Sequence, residues 1–147
     1  MDTRLIESLA RTNVRQYRYF DSIESTNNEA LRWAESGAPD FSLVIANEQI
    51  KGRGRFDRRW VTRPGTSLAF SLILQPTERE KQNLALFSPL CGIAVFEAVT
   101  SFLHLDAEIK WPNDVLYKRK KFCGILVEAV WNGSNLRGIV LGIGINI

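Results

Sequence analysis

Apolar residues recur along this chain in two rhythms, one of three to four residues and one of two. "DTRLIESLAR" (2–11) has the first and reads as a short helix capped by Asp2 or Thr3, and "VRQYRYFDSI" (14–23) follows as a strand of aromatic and β-branched residues. In "STNNEALRWAESGAPD" (25–40), Thr26 followed by Glu29 fits a capping box, and Leu31 and Ala34 share a face with Ala30 beside them. Gly37 suits the position just past the helix end, and Pro39 stops continuation. "SLVIANEQ" (42–49) is an apolar run of buried-strand type, and "TSLAFSLIL" (66–74) is a strand with Leu68, Phe70 and Leu72 on one face.

A polar connection, "TEREKQNLAL", leads into "SPLCGIAVFEAVTSFLHL", where Ser88 reads as cap and Pro89 as first helical residue. That helix is apolar nearly all round, which predicts a central position. From Ala107 onward the chain reads as strands, with "KRKK" near a turn and "NGSN" as a hairpin signal. The predicted class is α+β: a mixed, mostly antiparallel sheet with helices packed on one side. The chain shows no repeat, low-complexity tract or linker, so 1–147 reads as a single domain. It stops inside a strand-like run, "GIGINI", which suggests a truncated C-terminus.

Composition narrows the function. Hydrophobic residues are 45% and charged residues 24%, ordinary values for a globular protein. Cys91 and Cys123 lie far apart in apolar surroundings and read as buried thiols of a reducing cytosol. With the lone His104 they leave little material for a zinc site or a Cys-His nucleophile. The N-terminus is too polar for a signal peptide, and the reading finds no apolar run approaching the ~20 residues of a membrane span, so a cytoplasmic protein is expected.

The net charge is only +3, but the charge is clumped. "IKGRGRFDRRWVTRPG" (50–65) holds six basic side chains and three glycines, with Asp57 the single acid. Taken alone, it could be a solvated surface, an anion-binding nest or a nucleic-acid contact. Gly52 and Gly54 alternate with Arg53 and Arg55, so the backbone can approach a ligand that the arginines reach, and Trp60 could stack on a flat ring. Neither a Walker loop nor a Rossmann glycine pattern is present, and no helix-turn-helix, RNA-recognition or zinc pattern accompanies it. "KWPNDVLYKRKKFCGILVE" is the second constellation: Asn113 and Asp114 suit either a plain turn or a magnesium–phosphate contact, and Lys121 opens an apolar strand at what could be a pocket edge.

Together, "STN" (25–27), "EQIKGRGRFDRRW" (48–60), "KWPND" (110–114), "KKFCGILVE" (120–128) and "GIGIN" (142–146) resemble, in order and spacing, the catalytic domain of biotin protein ligases in the biotin/lipoate ligase superfamily. The resemblance implies a class II synthetase-like fold and a two-step reaction. Biotin and Mg²⁺-ATP give biotinyl-5′-AMP, and biotin then passes to a lysine of a biotin carboxyl carrier protein of acetyl-CoA carboxylase. Carried over by position, Ser25, Thr26, Asn27 and Gln49 correspond to biotin contacts. Gly52, Arg53, Gly54 and Arg55 correspond to a loop closing over biotin and adenylate. Arg55 and Lys121 correspond to catalytic groups, with Lys121 on the reacting carboxylate and α-phosphate. Trp60, Asn113 and Asn146, with Arg55, correspond to nucleotide contacts, and Asn113 with Asp114 to a magnesium contact.

Asp57 stands where the family usually carries glycine, which implies strain if that position needs a positive φ. The family's small SH3-like C-terminal domain and its N-terminal helix-turn-helix domain have no counterpart in the sequence, so no repressor role and no nucleic-acid partner are expected. The resemblance allows a homodimer. The competing readings are a lipoate or octanoate ligase or transferase of the same superfamily and a nucleic-acid-binding module.

Overall fold

The computed structural model describes residues 3–147. Seven strands form one sheet in the order β1-β2-β3-β7-β6-β5-β4. Their ranges are β1 Gln16–Ile23, β2 Ser42–Gln49, β3 Ser67–Leu74, β4 Ala107–Lys110, β5 Asp114–Tyr117, β6 Lys120–Asn132 and β7 Asn135–Asn146. The helices are α1 Thr3–Leu9, α2 Thr26–Glu35, α3 Glu78–Lys81 and α4 Phe87–Leu103. Only β1 and β2 pair parallel, and α2 makes the crossover between them. All other pairings are antiparallel, so the mixed α+β class is as expected.

The two main helices lie on opposite faces, where the sequence pointed to one side. Alternate residues of β7 decide this. Ile139, Leu141, Ile143 and Ile145 join a core with Cys91, Val95 and Val99 of α4. Val140, between them, joins a second core with Ala30, Trp33 and Ala34 of α2, and Gly138 faces Ala34. A strand apolar on both faces needs cover on both. For the same reason Leu68, Phe70 and Leu72 do share a face, but the opposite row, Ala69, Ser71 and Ile73, is the more buried one beneath α2.

Helix α4 is not central. Its Cys91, Val95 and Val99 stripe packs on the sheet, while Leu90 (57%) and Ile93 (42%) are exposed. The segment Leu84–Leu103 is in fact long and apolar enough to cross a membrane by length and composition, contrary to the expectation; its inward stripe packs here as a sheet-covering helix. A 3₁₀ turn at Leu84–Leu86 leads directly into it, so Leu86 rather than Ser88 occupies the cap position and Ser88 is already helical. His104 ends the helix with φ of 52°.

Local signals hold elsewhere. Gly37 (φ 88°) closes α2 with Gly37 N–H donating to Ala34 O and Ala38 N–H to Trp33 O, the paired bonds of a Schellman ending. Lys118 and Arg119, both at positive φ, make the two-residue β5–β6 hairpin, and Gly133–Ser134 turns β6 into β7. Of the two caps expected for α1, Thr3 is already the first helical residue and Asp2 lies outside the described residues.

Two predictions follow from this layering. Ile139→Ala, at a side chain 1% exposed, lowers unfolding free energy by about 2–5 kcal/mol, whereas Leu90→Ala on the outer face of α4 leaves it within about 0.5 kcal/mol, both read from urea midpoints. Burial pushes the Cys91 and Cys123 thiols from 9.0 up to about 12. A folded pKa above the unfolded one gives stability fully present below pH 9.0 and lost as pH rises toward about 12. Unfolding midpoints should therefore fall above pH 9.0, and iodoacetamide should modify both thiols in urea but neither in the native protein.

Candidate active site

The C-terminal ends of the parallel pair β1 and β2 open toward the start of α2 and the loop that follows Gln49. A cavity of about 350 Å³ lies there, within the range of small-molecule sites. Ser25, Thr26, Asn27, Gln49, Arg53, Gly54, Arg55, Trp60, Asn113, Asp114 and Lys121 all border it. Residues spread over more than ninety positions of sequence thus converge. Gly52 and Asn146 do not border it. Gly52 is at the loop root, accepting through its carbonyl from Trp60 N–H (2.8 Å), and Asn146 Nδ2 donates to Lys121 O (3.0 Å), bracing the strand that carries the lysine.

The cavity floor is made of missing side chains. A Cβ on Gly144 would stand 2.4 Å from the Trp60 ring, one on Gly124 2.9 Å from the same ring, and one on Gly142 2.0 Å from Asn27 Oδ1. Trp60 therefore lies flat across β6 and β7, and Asn27 reaches down onto β7. These glycines were not singled out from the sequence, although their alternation in "GIGIN" is the signal of a close approach to a strand.

At the α2 end the site is neutral and rich in acceptors. Ser25, not Thr26, caps the helix: its hydroxyl accepts from Asn28 N–H, and Glu29 pairs with Arg18 and Arg32 instead of reaching back. This frees Thr26 for the site. Gln49 Oε1 accepts from Thr26 N–H (2.8 Å) and faces Thr26 Oγ1 (3.0 Å). The buried Ser71 Oγ stands 2.8 Å from Thr26 Oγ1 and 2.6 Å from Asn27 Oδ1. Two hydroxyl protons serve these three oxygen–oxygen contacts, with Ser71 fully buried and Thr26 and Gln49 bordering the cavity, where they offer neutral hydrogen-bonding groups. Asn27 itself is fully engaged, donating to Leu126 O (3.2 Å) and Glu128 Oε2 (2.8 Å).

The other end is cationic. Arg55 Nη1 donates to Asn113 Oδ1 (3.0 Å), and Lys121 Nζ stands 2.8 Å from Asp114 Oδ1 and 5.6 Å from the Trp60 ring centroid. A register shift aims the lysine. Val115 pairs with Cys123 but Leu116 pairs with Lys121, so Phe122 is a bulge residue and Lys121 turns to the cavity face while Cys123 stays in the α4 core. Asn113 is held by its Nδ2 bond to Ile125 O (3.1 Å).

The magnesium contact expected at Asn113 and Asp114 does not fit the arrangement. Asn113 Oδ1 already serves a guanidinium and Asp114 an ammonium, and a dication would join two cations. No group of three or more His, Cys, Asp or Glu among the described residues could hold a metal ion.

The basic loop folds inward as a tight hairpin. Gly54 N–H donates to Arg58 O (2.7 Å), Arg53 and Arg59 form a bridge, and Phe56 and Asp57 turn the tip at φ of 55° and 56°. Asp57 therefore does occupy a left-handed position, as does Phe56, each at a cost of roughly 1–2 kcal/mol that glycine would not incur. Asp57 forms no ion pair with Arg55 or Arg58 among the described residues.

A family model described as the biotin/lipoate A/B protein ligase family matches residues 19–146. The chain is 37% identical over 129 residues to the bifunctional ligase/repressor BirA of Bacillus spizizenii, covering 88% of this chain and 39% of that protein. It is 37% identical over 126 residues to the biotin–[acetyl-CoA-carboxylase] ligase of Paracoccus denitrificans, covering 84% of this chain and 51% of that protein. Among solved structures it is similar to the biotin protein ligase of Aquifex aeolicus in complex with biotin and ATP, with a TM-score of 0.75 and 32% identity over 90% of this chain and 53% of that one. The chain thus spans roughly two fifths to one half of the length of these relatives.

The glycine floor makes a sharp prediction. Gly142→Ala, whose Cβ would meet Asn27 Oδ1 at 2.0 Å, displaces Asn27 and breaks its bonds to Ser71 and Glu128 while the β3–β7 pairing persists. The Asn27 side-chain amide resonances should shift with β7 amide protection unchanged; an unperturbed Asn27 would show that the close packing is not required.

Proposed function

The chain belongs to the biotin/lipoate A/B protein ligase family, and we propose that it activates biotin with ATP and delivers it to a protein lysine. One observation carries the choice of acid: the cavity is lined by neutral hydrogen-bonding groups at the Ser25–Thr26–Gln49 end and is cationic at the Arg55–Lys121 end. Such a site suits an acid with neutral N–H groups on its head and a carboxylate on its tail. The cyclic urea of biotin supplies both N–H donors and a carbonyl acceptor. The head groups of lipoate and octanoate have no N–H to give, so they would leave these groups unsatisfied at a cost of about 1–3 kcal/mol. The relatives point the same way, since they are biotin protein ligases.

In the proposed reaction a carboxylate oxygen of biotin attacks the α-phosphorus of ATP and pyrophosphate leaves. Arg55 and Lys121 would stand beside the reacting groups and stabilise charge on the phosphoryl oxygens. Their present partners, Asn113 and Asp114, hold them until the anions arrive. Trp60 would give the nucleotide an apolar shelf. Asn146, outside the cavity, supports this step by fixing the backbone of Lys121. Magnesium would enter with ATP as part of the substrate. In the second step the amine of an acceptor lysine, on a biotin carboxyl carrier protein, attacks the mixed anhydride carbonyl and AMP leaves. Neither step needs a protein nucleophile, which accords with two thiols buried in the core. Free thiols suit a reducing cytosol.

The nucleic-acid reading has less support. Lys51 and Arg53 are paired with Glu24 and Glu128, and Arg55 and Arg59 are tied to Asn113 and Ile50 O, so four of the loop's six basic side chains are engaged within the protein.

Incubation with Mg²⁺-ATP and each of biotin, lipoate and octanoate, followed by mass spectrometry, should give an adenylate with biotin alone. Lys121→Ala should slow its formation by about 100-fold, the scale of losing one charge-stabilising donor, with biotin affinity changed far less. An adenylate from lipoate instead of biotin would reverse the choice of acid, and an undiminished rate in Lys121→Ala would remove the lysine from the chemistry.

A further inference from the structure

Glu128 lies on β6 just outside the cavity, at the end of the segment "KKFCGILVE", and the sequence assigns it no role. One of its oxygens, Oε2, takes two donors: Asn27 Nδ2 at 2.8 Å and Arg53 Nη2 at 2.5 Å. Asn27 is 5% exposed and is bonded in turn to Ser71 and to Leu126 O, so the carboxylate is tied to the rigid floor of the site. Arg53 belongs to the loop. A single oxygen therefore joins the most fixed part of the site to its most extended segment.

Besides Lys51–Glu24 at its root, the loop has one more side-chain bond to the body of the domain, Arg55 to Asn113. In the proposed reaction Arg55 must turn from Asn113 to anionic oxygens, so that bond cannot keep the loop closed through the cycle. The Arg53–Glu128 pair can, because neither partner is needed for the chemistry. The charges argue for the same division. A carboxylate beside a site for two anionic reactants would repel them unless neutralised, and Arg53 neutralises it. The charge of Arg53 is then spent on Glu128 and not on the ligand.

We propose that Glu128 is a positioning residue: by holding Arg53 on the oxygen that also fixes Asn27, it sets the closed position of the 50–61 loop over the reactive site. The geometric part is independent of the proposed function; its consequence, slower escape of an acyl-adenylate, rests on it.

The test separates the two. Hydrogen exchange is measured by mass spectrometry on the whole chain without ligand, for wild type, Glu128→Gln, Arg53→Gln and the double variant. Glu128→Gln keeps an oxygen for Asn27 but loses the charge that holds Arg53. The pair is partly solvent-exposed, so exchange in the 50–61 segment should rise about tenfold while β7 stays protected. Arg53→Gln should give the same rise, and the double variant no more than either single one. Arg53→Lys should restore part of the protection, which a merely structural role of Glu128 would not predict. Unchanged loop exchange in both single variants, or additive effects in the double, overturns the proposal. If Glu128→Gln fails to fold, Arg53→Gln on the exposed loop gives the same reading. With biotinyl-5′-AMP bound, release should quicken by a similar factor in Glu128→Gln. Faster loop exchange without binding of that compound would leave the latch standing and count against the proposed function alone.

Discussion

Everything at this site depends on the absence of side chains at three positions of two neighbouring strands. Gly124, Gly142 and Gly144 leave the sheet surface bare, and bulky groups from elsewhere in the chain fill the space: Trp60 over Gly124 and Gly144, Asn27 over Gly142. A methyl group at any of them would collide at 2.9 Å or less. The loop's far stem can lie on the sheet only because Trp60 can. Asn27 can link Ser71 to Glu128 only because Gly142 lets it down to the strand. Glycine weakens a strand by about 0.5–1 kcal/mol, and here the two-sided core of β7 offsets that cost.

On that floor the polar groups sort by charge. The neutral acceptors of Thr26, Ser71 and Gln49 gather where α2 begins, and the cations of Arg55 and Lys121 gather at the β5–β6 end. Each cation is braced by a neighbour in the pair Asn113–Asp114, which makes that dipeptide a holder of cations rather than of a metal. The bulge at Phe122 is what lets β6 serve both sides, keeping Cys123 in the core while presenting Lys121 to the cavity. Supporting residues such as Glu128 then act at one remove, through the side chains they hold.

Much of this was legible in the sequence because it was local. The Schellman ending at Gly37, the hairpins at Lys118–Arg119 and Gly133–Ser134, and the loop rich in arginine and glycine all follow from neighbours in the chain. The motif segments also contain every residue that borders the cavity, although the glycines of its floor were not singled out. What was missed depends on which strands lie side by side. The α+β class was right, but the sidedness of the helices was not, because an apolar run such as that of β7 does not say whether one face or both are covered. The uniformly apolar α4 looked central, yet it is an outer layer, since composition cannot distinguish a helix buried all round from one with an exposed apolar face. The switch of the α2 cap from Thr26 to Ser25 was hidden because Thr26 is drawn away by Gln49 and Ser71, twenty or more residues distant.

The neutral end of the cavity, lined by Ser25, Thr26 and Gln49, is what selects the head group in the proposed reaction. Calorimetric titration with biotin and with lipoate, without nucleotide, tests this directly. Saturable, exothermic binding of biotin and none of lipoate is expected. Lipoate binding as tightly as biotin would overturn that choice, for the polar groups of Ser25, Thr26 and Gln49 would then contribute nothing to it.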